Sequence, residues 1–546
     1  MSKRILFKNT VISLSLAILL NACGSSDKST KSMEGSNNEQ TAPYALSSSK
    51  KDNLTLSLNG DQNNSIIIGD EFIDLGAEAT DKVDGNITSS ISVETDLNTS
   101  KEGKYTVTYS VSDSSGEKAN VKRVVSVKPV SSPYKTAPID SNINLGNETG
   151  ILYYADPRSQ EHGLNRVLRI DYMDMSYDAI AVNGINPHSI DRAGSTDKFY
   201  IRTQNSDSFD IVNFKTGDVK TIDLNDHRPR AIGGYNKKYN IQLLSAKDMP
   251  VVDIIDVSTD RVIETLGDRN HYNKADITSN AGSGSATGHS FWLDDDHLGL
   301  IDRVHRVTRV YRVEKNEDGS LSFMQTSSIE AGTAFHAIER AINPKTRKDV
   351  TTFYAMGEGD ITKGMAPYVL ELSFDPKRGI LSRTEKVAWL SQSNEKIDNV
   401  TPTTHHSGVS PDGKYLVVPV LDGKVYFIDR KDMNVVKVLE AKLGAAHIEF
   451  SDTHNLAVIT NHFSNELTII DMNNLEVKKT LRIGFHHEFN PDEKHLFQPH
   501  FSYISPDGNY YYTFATQDGE FLKINLETLE IEDTLHVGGA PEQAHS

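Results

Sequence analysis

The chain has 546 residues, with 57 Lys and Arg against 75 Asp and Glu and a formal net charge of −18. So acidic a balance argues against a nucleic-acid partner, whose phosphates demand a basic face. A single cysteine, Cys23, excludes a disulfide, an iron–sulfur cluster, a thiolate zinc site and a C-x-x-C-H haem attachment, so any metal must be held by His, Asp, Glu or Met.

Residues 1–9 carry Lys3, Arg4 and Lys8, and 11–20 form a short apolar run. A basic start, about ten apolar residues and a small residue before a cut site read as an export signal, too short to span a bilayer. The phrase Leu20-Asn21-Ala22-Cys23 resembles the lipobox of bacterial lipoproteins. That resemblance implies a signal peptide over 1–22, cleavage before a lipidated Cys23, and a lipid membrane as the first partner. Gly24 after the cysteine implies, by the habit of that family, the outer membrane of the cell envelope. Residues 23–52 are mostly Ser, Asn, Lys, Gln and Thr, a composition that cannot bury a core and predicts a flexible tether.

Residues 53–129 change character. Strands are expected at 54–58, 65–68, 91–95, 105–111 and 121–127, with turns at Asp84-Gly85, Glu102-Gly103 and Ser115-Gly116. Tyr105, Val107, Tyr109 and Val111 fall on one face. So many strands in so short a span predict a β-sandwich. The phrases G-A-E-A-T-D-K-V-D-G-N-I-T, G-K-Y-T-V-T-Y-S-V-S-D-S-S-G and R-V-V-S-V resemble the Ig-like modules of bacterial surface proteins. The role expected is a spacer. Asp81 and Asp84 suit turn stabilisation better than calcium binding.

From about residue 137 to 546 a β phrase repeats. Its clearest copy predicts strands at 407–410, 415–420, 424–429 and 435–440, separated by Pro411-Asp412-Gly413 and Asp422-Gly423. A four-stranded meander of about 40 residues, repeated, is the mark of a propeller blade. S-P-D-G-K-Y-L-V-V and E-L-T-I-I-D-M-N-N-L-E-V-K-K-T-L resemble the YVTN-type propeller repeats of exported proteins. The expected class is all-β: a small Ig-like sandwich followed by a propeller of about eight blades, seven being the alternative count.

The innermost strand of each blade lines the propeller's channel, so residues leading into those strands converge on the axis. Here they are His188, Arg230, His289, His336, His406, His447 and His500, with His545 expected near the seam where the ring closes. The bland alternative is that each imidazole merely hydrogen-bonds a neighbouring blade. Neutral imidazole is the commonest metal ligand, and three or four converging rings suit zinc or copper. His405 is expected to hold a partner ring by a hydrogen bond, and His462 to lie at the same rim. The insertion 484–500 adds His486, His487, Glu488, Asp492 and His495 as a candidate lid.

Three functions compete. T-H-H-S-G-V-S-P, the His-led blades and Ala544-His545-Ser546 resemble the propeller zinc chaperones that serve periplasmic zinc transporters, which implies zinc and a metal transporter as partner. The recurring histidines also resemble the propellers of nitrous oxide reductase and of the haem-d nitrite reductases. That resemblance implies a copper centre or, less favoured, a haem whose carboxylate meets Arg230. A surface adhesin or scaffold is the third class. No nucleophile elbow, H-E-x-x-H or phosphate-binding glycine loop is present, and an enzyme is not the favoured reading.

Overall fold

The computed structural model describes residues 48–50, 53–59, 62–67, 72, 74–101, 103–128, 150–156, 165–194, 196–273, 277, 284–341, 351–390, 400–484, 497–541 and 543–545. The export signal, Cys23, almost all of the tether, the joint at 131–137, and His486 and His487 lie outside these residues. Chain contacts divide the molecule into two units, Met1–Val130 and Ser131–Ser546.

The first unit is a sandwich of two four-stranded sheets. One sheet is built on Leu54–Leu58 and Ala77–Asp81, the other on Gly103–Ser112 and Lys118–Lys128. Leu54, Leu56, Leu58, Val107, Tyr109, Val111, Val121 and Val125 alternate along their strands and meet in one core. The strand Ala77–Asp81 was not expected. It hides inside the phrase G-A-E-A-T-D because its inward residues are small alanines, poor in the β-branched signal. Asp81 accepts the backbone N–H of Val83 and Asp84, and Asp84 accepts the N–H and hydroxyl of Ser114. Turn stabilisation accounts for both carboxylates.

The second unit is a β-propeller of eight four-stranded sheets. Blades 2 to 8 run in chain order, each an antiparallel meander. Blade 6, for example, comprises Gly408–Val409, Tyr415–Val420, Lys424–Asp429 and Asn434–Glu440. Blade 1 is composite. Its strands Ile151–Asp156, Arg166–Asp171 and Ser176–Ala181 receive a fourth from the far end of the chain, Gln543–His545, paired antiparallel to the first. Arg166 secures the seam. Its Nε meets Asp156 at 3.0 Å and it donates to the carbonyl of Val537, while the N–H of Ala540 donates to Asp156.

A blade of this size cannot bury both faces alone, so the ring stands on the contacts between blades. Each of the eight interfaces has its own apolar cluster. Tyr153, Phe199 and Phe214 join blades 1 and 2, Leu416, Tyr426 and Tyr354 join 5 and 6, and Tyr154, Phe514 and Phe521 close 8 onto 1. The recurring phrase D-x-x-x-[LM] marks the turn into the outer strand of several blades. Asp171, Asp429 and Asp471 accept the N–H two residues on, and Met175, Met433 and Leu475 take positive φ.

Candidate metal centre

One backbone hydrogen bond recurs in blades 2 to 8. The residue after the second strand donates its N–H to the carbonyl just before the first strand. The donors are Gln204, Lys247, Arg303, Glu358, Leu421, His462 and Thr516, and the acceptors are Asn186, Arg228, Ala286, Ala334, Thr403, Gly444 and Phe497. This bond is a ruler. Two residues after the acceptor stand His188, Arg230, Gly288, His336, His405, Ala446 and Pro499. Three residues after it stand Ser189, Ala231, His289, Ala337, His406, His447 and His500. Every blade of the seven thus supplies an imidazole or guanidinium at one of two adjacent places, and blade 6 supplies one at both. Register shifts at Pro187/Ser189, Pro229/Ala231, Phe335/Ile338 and Ala445/His447 mark bulges there, which re-aim side chains.

The rings meet. His405 lies 4.1 Å from His336, 4.9 Å from His406 and 4.9 Å from His447, centroid to centroid. His406 and His447 are 4.6 Å apart, as are His462 and His500 at 4.5 Å. His289 lies 5.2 Å from His336, and His188 5.4 Å from His500. Eight imidazoles therefore form one contiguous body. Within it, one ring nitrogen from each of His405, His447, His462 and His500 lies within 4.8 Å of the others, and so does one from each of His289, His336 and His406. A tetrahedral zinc with nitrogen ligands needs about 3.4 Å between donors, a spacing shorter than this upper bound.

Two observations test whether these sets suit a metal. First, Nε2 of His336, His405, His447 and His462 and Nδ1 of His500 are buried with no hydrogen-bond partner. Second, the opposite nitrogen of three rings is pinned. His462 Nδ1 donates to the carbonyl of Gln498 at 3.1 Å, His336 Nδ1 faces Glu358 at 3.3 Å, and His406 Nδ1 faces Glu339 at 2.6 Å. Glu339 is itself held by the N–H and hydroxyl of Ser407. A proton kept on Nδ1 leaves the Nε2 lone pair for an ion, the usual arrangement around metal-bound histidine.

Burial keeps the rings neutral. It pushes His188, His289, His405, His447 and His500 well below the ordinary imidazole range, and neighbouring cationic or imidazole groups add to the effect. Burial likewise takes His336 and His462 down to about 3, against the opposing pull of Glu358 on the first and the Gln498 carbonyl on the second. Neutral rings need shed no proton before binding a cation.

The expected residues fall out unevenly. His289, His336, His406, His447 and His500 lie in the two donor sets, and His188 and Arg230 on the same ring beside them. His405 is more than a helper of His406, because it occupies the bulge position that His188, Arg230 and His336 hold in other blades. His462 reaches the site from the donor position of the ruler bond. His545 lies in the closing strand opposite Tyr153, two residues beyond Gln543, which faces Ala155 as Ser189 faces Arg202 in blade 2. It therefore sits at the seam but past the lead-in position, and its side chain is outside the described residues. Reading the sequence missed Arg303 and Glu358, a fully buried ion pair at 2.6 Å beside His336. It also missed Glu449, two residues after His447 on the same strand, which burial pushes up to about 8.

Comparisons with known proteins follow the two units. Residues 56–127 match the family described as bacterial surface protein, Ig-like domain. The chain is similar to the solved structure of the dihydro-haem d1 dehydrogenase NirN in complex with DHE, with a TM-score of 0.51 at 11% identity over 75% of this chain and 76% of that one. It is also similar to apo AztD from Citrobacter koseri, with a TM-score of 0.47 at 11% identity over 72% of this chain and 96% of that one. The comparison with curated proteins returns no match. At such identity the likeness to NirN speaks for the propeller fold and leaves the chemistry to the residues above.

Proposed function

We propose that the propeller binds a transition-metal ion, zinc or copper, through histidines on its axis. His405, His447, His462 and His500 form one donor set, and His289, His336 and His406 form a second beside it. The observation that carries this reading is the group of five partnerless, buried ring nitrogens contributed by blades 5 to 8. A buried polar atom without a partner is unfavourable, and four of the five belong to the rings of one donor set, where a cation would accept their lone pairs. The donors are all imidazole nitrogen. That set suits zinc or copper and is poor for calcium or magnesium, which take oxygen.

Four protein ligands leave no open coordination position, which fits holding an ion better than activating a substrate. The second set lies against the first through His405 and His406, so an ion has neighbouring donors to exchange with. Capture or delivery of the metal follows. The export signal and lipobox read in residues 1–23 and the Ig-like module, taken as a spacer, support a role in the cell envelope, and a metal transporter is the partner class such a role needs.

Metal analysis of the purified protein tests the reading. Stoichiometric zinc or copper is expected, reduced in a His405→Ala/His462→Ala variant that remains folded. Unchanged metal content in that variant would sink the assignment. A haem-like visible spectrum on the purified protein would replace the metal ion with a tetrapyrrole.

A further inference from the structure

Among the described residues five arginines are buried to nine-tenths or more and can be compared directly. Arg202 donates through Nε to the carbonyl of Pro229. Arg123 has Asp74, Tyr109 and the carbonyls of Asn59 and Gly76. Arg166 has Asp156 and the carbonyl of Val537. Arg303 has Glu358 and the carbonyl of Ser285. Arg230 is only 8% exposed, its Nε is buried without a hydrogen-bond partner, and no described carboxylate pairs with it. It stands at the bulge position of blade 3, between the blades that supply His188 and His289, and its charge is felt at His188, His289 and His336. Arg202 and Lys247 add positive charge at His188. The nearby acid, Glu358, is already engaged by Arg303 and His336.

A guanidinium taken out of water without a paired counter-charge is strongly unfavourable, and among the described residues only the attraction of Glu358, itself bound to Arg303, offsets the burial of Arg230. Its planar fork matches two oxygens of one anion. The neighbouring donor set of His289, His336 and His406 has three nitrogens, one short of a tetrahedral shell. We propose that Arg230 forms an anion site for a small carboxylate or oxyanion, and that this anion serves as a further ligand to a metal ion on the three-histidine set. The anion site stands on Arg230 alone. Its role as co-ligand rests on the metal reading above.

Calorimetry on the full chain tests both parts. The metal-free and zinc-loaded protein is titrated with inorganic phosphate, bicarbonate and acetate, which separate a tetrahedral oxyanion from a planar carboxylate-like one. At least one anion is expected to bind, more tightly after zinc loading. Arg230→Met is expected to weaken that binding by about tenfold or more, the scale of a lost charge-assisted, forked contact. Because the variant removes an unpartnered buried charge, its metal-free thermal midpoint should match or exceed that of the wild type. A marked fall would make Arg230 a structural residue and overturn the proposal. As a second variant, Arg230→Lys keeps the charge, loses the fork, and must weaken anion binding in the same direction.

Binding of none of the three anions in either state, or equal binding by Arg230→Met, overturns the anion site. Anion binding that depends on Arg230 in a protein that takes up no zinc upholds the site and removes the metal reading. Zinc binding with no effect on anion affinity removes the co-ligand role.

Discussion

Blades 2 to 4 and blades 5 to 8 reach the axis through the same three backbone positions, set by the same ruler bond, and fill them differently. The first group brings Arg230, Lys247 and Arg303 beside the single rings His188 and His289. The second brings His336, His405, His406, His447, His462 and His500, with Glu358 as the one acid at those places. A common scaffold thus carries a cationic arc and an imidazole-rich arc around one channel. The fold supplies convergence, and the side chains decide what converges. Two guanidiniums in the cationic arc sharpen the contrast, because Arg303 is paired within the chain and Arg230 is not.

Breaking the paired one gives the largest expected effect. Arg303→Met takes from the fully buried Glu358 the arginine paired with it and should destabilise the propeller by about 3–5 kcal/mol in denaturant unfolding, the usual penalty for breaking a buried pair from one side. Arg230→Met should show no such loss. Equal destabilisation by the two would erase the distinction between them. Next come the rings. His405→Ala/His462→Ala should remove most of the bound metal, whereas His188→Ala, outside both donor sets, should leave the metal content near that of the wild type. A smaller effect is expected from Glu339→Gln, which weakens the carboxylate holding His406. Metal affinity of the three-histidine set should fall about 10–100-fold while the four-histidine set keeps its own. Competition with a graded series of chelators would resolve the two.

Much of this arrangement was legible in the chain before folding. S-P-D-G turns and D-x-x-x-[LM] corners mark blade after blade, and the histidines stand out because each precedes a strand of its own. The paired His405 and His406 were harder to weigh. A bulge adds one residue, so two neighbours both reach the axis where an unbroken strand would send them to opposite faces. Lys247, Arg303 and Glu358 could not be read at all. They share a position with Gln204, Leu421, His462 and Thr516, and nothing in residue type links those seven. Only the hydrogen bond from the end of the second strand to the corner before the first makes them equivalent. The strand Ala77–Asp81 escaped for a different reason, since small inward alanines carry no β signature.

One further histidine measures how far environment alone divides the ring. His227, in blade 3, sits one residue before the corner carbonyl of Arg228, and is buried. It faces Asp253 at 2.7 Å and Asp226 at 2.6 Å. Burial works against its charge, but the hydrogen bonds and attraction of Asp253 and then Asp226 prevail and raise its pKa to about 9. For His188, His289, His405, His447, His462 and His500 burial prevails and moves the pKa the other way, as it does for His336 against the pull of Glu358. Because the folded value lies above the ordinary one, the charged His227 adds stability in full below about pH 6.5 and loses it as pH rises toward 9. Unfolding free energy should therefore fall by on the order of 1–3 kcal/mol across that window, and His227→Gln should flatten the decline. A wild-type profile that stays level from pH 6.5 to 9 would mean the two carboxylates do not hold the proton, and that this ring is neutral like those on the axis.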